Sequence, residues 1–311
     1  GDSQESIIGA LKIIAAKLIG KNTADFEELL LTIQNSVVNN TSAKAALDIA
    51  LHDLVAKSMH QPLYKFLGGG KPELKILTTV SVKAVTEMVE DAQLFVAQGF
   101  ETLKIKVGLN PAEDIQRLKA IREAVGDSIS ILSDANQGWD AKSALQIIDS
   151  LAAHNLGIAM VEQPVKAWDY ANLKYVRDNS RIPIYADESA FNLRDVSKII
   201  QAQMADGINI KLMKSGGLYA ARPIYDLATS HNLPCMAGCM LESPIGLAAM
   251  AAFVVGKSNI KFVDLDPIAM IKSNPVIGGV RLDGATLHLS TGAGLGIENI
   301  QGLIPVVTIG A

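Results

Sequence analysis

Two rhythms of apolar and polar positions divide this chain. Up to about residue 60, apolar residues recur at i, i+3, i+4 and i+7 through ESIIGALKIIAAKLIG, ADFEELLLTIQNSV and TSAKAALDIALHDLVAKSMH. That spacing puts the apolar side chains on one stripe of a helix. Ser3 and Ser6 stand where the first of these helices needs a cap. Pro62 and the three glycines of QPLYKFLGGG then break the pattern.

From Leu74 onward short apolar runs replace the helical stripe. The strands expected are 74–82, 102–107, 128–134, 157–162, 182–187, 207–212, 233–238 and 260–266. Helical stretches such as PAEDIQRLKAIREAVG and AKSALQIIDSLAAHN lie between them. Short buried strands joined by helices predict a parallel sheet covered on its outside. Eight such strands with seven crossovers predict an α/β fold, a (β/α)7β TIM-like barrel. Residues 275–311 return to a Gly-rich, strand-like texture and supply no further strand–helix unit. The expected division is therefore 1–73, a mostly helical and partial N-terminal capping domain; 74–272, the barrel; and 273–311, a C-terminal segment that returns to the cap. The chain opens without Met, already inside a helix-start pattern, which predicts that part of an α+β capping domain precedes it.

Composition narrows the function classes. Hydrophobic residues make up 49% and charged residues 19% of the 311, enough to bury a large core. The net charge of -4 and the lack of a basic, aromatic-laced stripe argue against nucleic acid. The apolar run GLAAMAAFVVG is far short of the roughly 20 residues a membrane span needs, so it reads as a buried helix. Cys235 and Cys239 lie in one segment with no second pair elsewhere, which excludes a disulfide framework and favours a reducing cytoplasm.

The chemistry sits at the strand ends. Asp134 closes ILSD, Glu162 closes AMVE and Asp187 closes IYAD, 28 and 25 residues apart. That is about one strand–helix–strand unit each time. Lys104 and Lys106 end the run before them, Lys211 the run after them, and Asp264 and Asp266 the last run. In a barrel these ends converge. Residues two apart on a strand share a face, so Lys104 and Lys106 point together, as do Asp264 and Asp266. Inward charge is costly unless it is paired or bound to metal. Three carboxylates with no His or Cys cluster favour Mg²⁺ over Zn²⁺. Lysines flanking that cation would face a bound substrate from opposite sides, and the cations beside Lys106 would lower its pKa toward that of a base. Lys119 and Lys214 read as surface lysines. Gly292, Gly294 and Gly296 read as a turn, His52 as a structural residue, and His60 and His154 as helix-end residues.

The motifs LKIKVG, SDANQGW, VEQP, ADES, NIKLMKSGG, GCMLES and VDLDP, in this order, resemble the muconate-lactonizing subgroup of the enolase superfamily, and within it the dipeptide epimerases. The resemblance implies one Mg²⁺ per subunit on Asp134, Glu162 and Asp187. It implies Lys106 and Lys211 as the two acid/base residues and Lys104 beside the substrate carboxylate. One lysine would remove the α-proton, giving an enolate, and the other would return a proton on the opposite face. By the same resemblance Asp264 and Asp266 bind the ammonium of a dipeptide, and Thr79 and the stretch from Cys239 to Leu241 line the pocket. The implied reaction is inversion of the C-terminal residue of a dipeptide such as Ala-Glu from cell-wall peptides. An N-acylamino acid racemase, a succinylbenzoate synthase or a muconate cycloisomerase of the same subgroup is the nearest alternative. A Schiff-base aldolase barrel and a non-catalytic binding protein are the alternatives of other classes. A loop early in the family's N-terminal domain, which closes over the site, is expected to be absent from this chain. The expected partner is the dipeptide alone, with assembly into a homo-oligomer left open.

Overall fold

In the computed structural model, which describes residues 2–306 and 308, four helices open the chain. They are α1 (Gln4–Leu18), α2 (Phe26–Asn35), α3 (Thr41–Ser58) and α4 (Leu63–Phe66). The Ser3 hydroxyl caps α1 by accepting from Ser6 N–H at 3.2 Å. α3 is buried along Ala45, Ile49, His52 and Ala56. His52 is structural, as expected: its Nδ1–H donates to the Asp48 carbonyl at 2.8 Å, and its ring meets Phe26 and Phe66 edge-on.

The 74–82 run does not form one strand. It splits into β1 (Glu73–Lys75) and β2 (Thr78–Val80), which belong to different sheets. The alternation breaks at two adjacent apolar residues, Ile76 and Leu77, a signal too short to read as the end of one strand. The Ile76 N–H goes to the Ala285 carbonyl of the C-terminal segment, and the next N–H, Leu77, goes to the Val263 carbonyl of the barrel.

After β2 the chain alternates: α5 (Val85–Ala97), β3 (Thr102–Lys106), α6 (Pro111–Val125), β4 (Ser130–Asp134), α7 (Ala141–Ala153), β5 (Ile158–Glu162), α8 (Tyr170–Asn179), β6 (Ile184–Ala186), α9 (Leu193–Ala202) and β7 (Gly207–Ile210). It continues through α10 (Leu212–Ser215), α11 (Leu218–Ser230), β8 (Cys235–Ala237), α12 (Pro244–Val254), β9 (Ile260–Val263) and α13 (Pro267–Met270). Strands β2 to β9 pair in chain order, all parallel. The sheet curls until its ends meet, where Leu77 N–H donates to the Val263 carbonyl at 2.9 Å. α12 is the GLAAMAAFVVG helix and is buried along its whole length. Among the described residues no helix is long and apolar enough to cross a membrane.

The C-terminal segment holds β10 (Val276–Gly278), β11 (Val280–Asp283), β12 (Thr286–Leu289) and β13 (Ile297–Ile300). β12 pairs antiparallel with both β1 and β11, which ties this segment to the start of the barrel. Gly292, Gly294 and Gly296 lie between β12 and β13, outside any helix. Residues 307 and 309–311 fall outside the described residues.

The barrel interior is layered. Leu77, Leu132, Met160, Tyr185 and Met236 pack together as an apolar plug, with Phe262 against it. Leu132, Met160, Tyr185 and Phe262 each stand two residues before Asp134, Glu162, Asp187 and Asp264. Period two therefore stacks a charged layer directly on the plug. Gly207 makes room for it, since a Cβ there would sit 2.4 Å from the Tyr185 ring.

Asp48 joins the helical part to the barrel. Its fully buried carboxylate accepts from Leu218 N–H at 2.7 Å and Tyr219 N–H at 3.2 Å, capping α11 from another element. Gly217, at φ +113°, allows this approach, because a Cβ would lie 2.4 Å from Asp48 Cγ. Asp48→Ala strands one buried and one half-buried donor. We expect a loss of about 2 kcal/mol of unfolding free energy, read by urea denaturation; a loss within about 0.5 kcal/mol would show that the contact does not carry stability.

Candidate active site

Six of the eight barrel strand ends, those of β3 to β7 and β9, deliver one or two charged side chains to the mouth, where most of them pair with one another. Lys106 Nζ contacts Asp134 Oδ2 at 2.6 Å and donates to Asn136 Oδ1 at 2.8 Å. Lys104 Nζ lies between three carboxylates: Glu162 Oε2 at 2.7 Å, Asp264 Oδ2 at 2.9 Å and Asp134 Oδ2 at 3.0 Å. Lys211 Nζ takes Asp187 Oδ2 at 2.7 Å. Asn209 Nδ2 donates to Glu162 Oε1 at 2.7 Å. Asp266 Oδ2 accepts the Thr79 N–H at 2.6 Å, joining the last strand's end to the first's.

The three acids and Lys104 are at most 2% exposed, so their charges interact with little solvent screening. Burial would raise the Asp187 pKa, but Lys214 and Lys211 outweigh it and hold this carboxyl well below the usual range. Asp134 is lowered in the same way, with Lys104 and Lys106 overcoming burial. Glu162 goes the other way, to about 7, because burial and the neighbouring Asp134 outweigh Lys104. Burial would lower the Lys104 and Lys211 pKa values, yet the surrounding carboxylates raise both. Asp266 is pushed up to about 6 by burial and by Asp264.

The donor set suits a hard divalent cation. Asp134 and Glu162 are paired neighbours on β4 and β5, Asp187 follows β6, and all offer carboxylate oxygen. Glu162 Oε2 lies 2.7 Å from Lys104 Nζ but makes no hydrogen bond of good geometry among the described residues. A buried carboxylate oxygen left in this way is what a metal would satisfy. Among the described residues no three acidic, His or Cys side chains are gathered tightly enough to enclose an ion by themselves. The carboxylates reach to lysines instead, and the Lys104 ammonium bridges Asp134 and Glu162. A cation between those two acids and that ammonium exclude each other.

A cavity of about 370 Å³ opens above this layer. Thr79, Lys104, Cys239, Leu241, Asp264 and Asp266 all line it, together with Lys106, Lys211 and Asp187. Asp134 and Glu162 lie beneath, fully buried. Lys106 ends the second of the eight strands and Lys211 follows the sixth, so the two stand across the ring with the acid-bearing strands between them. Cys235 and Cys239 are both free.

Sequence reasoning missed Ser81, Asn136, Glu188 and Met270, which also line the cavity, while Met240 lies there with the rest of the expected stretch from Cys239 to Leu241. Asn136 and Glu188 follow Asp134 and Asp187 by two and one residues, which was the available signal. It also misplaced Lys214. This lysine is 2% exposed and contacts Asp187 Oδ1 at 2.5 Å. The short helix α10 turns it back under the site, three residues after Lys211.

The chain matches the family described as Enolase C-terminal domain-like over residues 87–301, and Mandelate racemase / muconate lactonizing enzyme, N-terminal domain, over residues 1–68. It belongs to the enolase superfamily. Among its relatives, the L-Ala-D/L-Glu epimerase of Clostridium acetobutylicum is 43% identical over 97% of this chain and 84% of that protein. Two solved structures of superfamily members superpose closely. A substrate-liganded L-Ala-D/L-Glu epimerase from Bacillus subtilis gives a TM-score of 0.94 at 42% identity, covering 96% of this chain and 84% of that one. A dipeptide epimerase from Enterococcus faecalis, complexed with Mg and the dipeptide L-Leu-L-Tyr, gives 0.92 at 38%, covering 96% and 84%. These likenesses agree with the barrel architecture and the superfamily expected from the motifs.

Proposed function

We propose that this enolase-superfamily chain is a magnesium-dependent dipeptide epimerase that inverts the α-carbon of the C-terminal residue. The observation that carries the reading is the placement of Lys106 and Lys211 across one cavity, with Asp134, Glu162 and Asp187 on the strands between them. Those three carboxylates would hold one Mg²⁺ per subunit. When bound, the ion supplies positive charge at the substrate carboxylate as the α-proton leaves.

The rest is work for the chain's own side chains. Lys106 and Lys211 face the α-carbon from opposite sides, one taking its proton and the other returning one. Either can begin, so both epimers are substrates. With the ion held on the acids, Lys104 would give up its place between them and contribute charge beside the substrate carboxylate. Asp264 and Asp266, with Thr79, receive the free ammonium at the far edge of the cavity. The apolar plug closes the barrel beneath the charged layer, which limits water to the mouth. On this reading residues 74–272 carry the catalytic barrel and residues 1–73 and 273–311 the cap; the β1–β12 pairing supports the return of the C-terminal segment to the cap and draws Leu74 and Lys75 to the cap side of the boundary. Two free thiols support a cytoplasmic setting.

The test is a dipeptide panel in D₂O read by mass spectrometry and chiral separation. Each inversion should add one deuterium at the C-terminal α-carbon. N-acetylated dipeptides should turn over at least about tenfold more slowly in kcat/KM, since losing the ammonium contact costs on the order of 1.5–3 kcal/mol. Asp266→Asn should raise KM for the free dipeptide more than it lowers kcat. Equal turnover of free and acetylated substrates would move the reading to an N-acylamino acid racemase.

A further inference from the structure

Lys214 has no part in the two-lysine chemistry, yet it is among the most deeply buried charges in the molecule. Its Nζ donates to Asp187 Oδ1 at 2.5 Å, to the Asp187 carbonyl at 2.7 Å and to the Asn209 carbonyl at 2.8 Å. None of these acceptors carries a proton, so all three hydrogens of an ammonium are spent. The Phe191 ring covers the same nitrogen, its centroid 5.8 Å away. Lys214 does not line the cavity. It therefore cannot touch a substrate there.

Asp187 is thus held twice, by contacts of different kinds. Lys211 takes Oδ2 from the cavity side, and among the described residues its Nζ has no second hydrogen-bonded acceptor. That contact can open when a substrate enters. Lys214 is anchored by two backbone carbonyls, one just past β6 and one in β7, and cannot leave without stranding them. The Asn209 whose carbonyl it holds also sends its side-chain amide to Glu162. One buried ammonium therefore braces Asp187 directly and Glu162 through the β7 backbone.

We propose that Lys214 is a positioning residue for the metal site: it pins Asp187 Oδ1 so that Oδ2 stays turned toward Lys211 and the cavity. The inference rests on Asp187 being a metal ligand. It makes a prediction opposite in sign to simple electrostatics. Removing a positive charge beside a cation site should tighten cation binding by Coulomb's law alone. Removing a positioning contact should weaken it, by about 10–100-fold.

The experiment measures Mn²⁺ binding to the full chain by calorimetry and by electron paramagnetic resonance, without substrate. The variants are Lys214→Met, which keeps the stem but no donor or charge, and Lys214→Gln, which keeps two donors without charge. Lys214→Met is expected to weaken Mn²⁺ about 10–100-fold with a native circular dichroism spectrum, and Lys214→Gln to lie between it and wild type. Unchanged or tighter binding in folded Lys214→Met would overturn the proposal, because a merely structural or merely electrostatic lysine gives that result. If Lys214→Met does not fold, Lys214→Gln decides: weakening supports positioning, and unchanged or tighter binding overturns it. Wild-type protein that binds no Mn²⁺ would overturn the metal reading itself, and this proposal with it, a result distinct from the variant comparison.

Discussion

Lys106→Ala and Lys211→Ala are each expected to abolish inversion, with kcat falling by roughly 10²–10⁴, the usual contribution of a positioned acid or base. Both proteins should stay folded. Without Lys106, Asp134 keeps Lys104; without Lys211, Asp187 keeps Lys214. The stronger expectation concerns isotope exchange. If the lysines stand on opposite faces, each single variant still has one base facing one proton. Lys106→Ala should exchange the α-proton of one epimer with D₂O and leave the other untouched, and Lys211→Ala should show the reverse selectivity. Proton NMR on each purified epimer reads this directly. Either variant exchanging both epimers, or both variants exchanging the same one, would place the two amines on one face and sink the mechanism.

Chelation is expected to have an effect of similar size. Dialysis against EDTA should lower turnover by about 10²–10⁴, the equivalent of several kcal/mol of transition-state charge stabilisation, and Mg²⁺ should restore it. A Schiff-base mechanism would survive chelation, so this result also separates the two classes. Binding should register in stability too. At 100 times its dissociation constant the ion adds about 2.7 kcal/mol by mass action, visible as a rise in melting temperature. Glu162→Gln preserves the volume and leaves an oxygen to accept from Asn209 Nδ2, but it removes the carboxylate charge. It should remove both the Mg²⁺-dependent rise in melting temperature and most of the activity. A rise equal to that of wild type would show that Glu162 is not a ligand.

Most of the barrel was legible because its signals are local. An apolar run of about five residues before each helix marks a strand, and the residue that closes it points into the mouth. Asp134, Glu162, Asp187, Lys106 and Lys211 were found on that logic, and all sit at or just beyond strand ends. The 74–82 run was misread for the same reason. Its alternation breaks at the adjacent apolar residues Ile76 and Leu77, too short a signal to end a strand, and that is where its hydrogen bonds change partner. Lys214 was misread because a lysine on a short helix looks solvated until the acceptors arrive from Asp187 and Asn209.

By itself, then, the sequence determined the order of elements, the ring of charged strand ends and the family those motifs belong to, since periodicity and spacing are properties of neighbouring residues. Tertiary structure alone decided which charges pair with which. It set the Lys104 ammonium between three carboxylates, left Glu162 Oε2 without a hydrogen bond of good geometry among the described residues and turned Lys214 inward beneath Asp187. Such pairings depend on distances of a few ångströms between residues far apart in the chain, and in a buried layer those distances set whether a charge is held, shared or free to react.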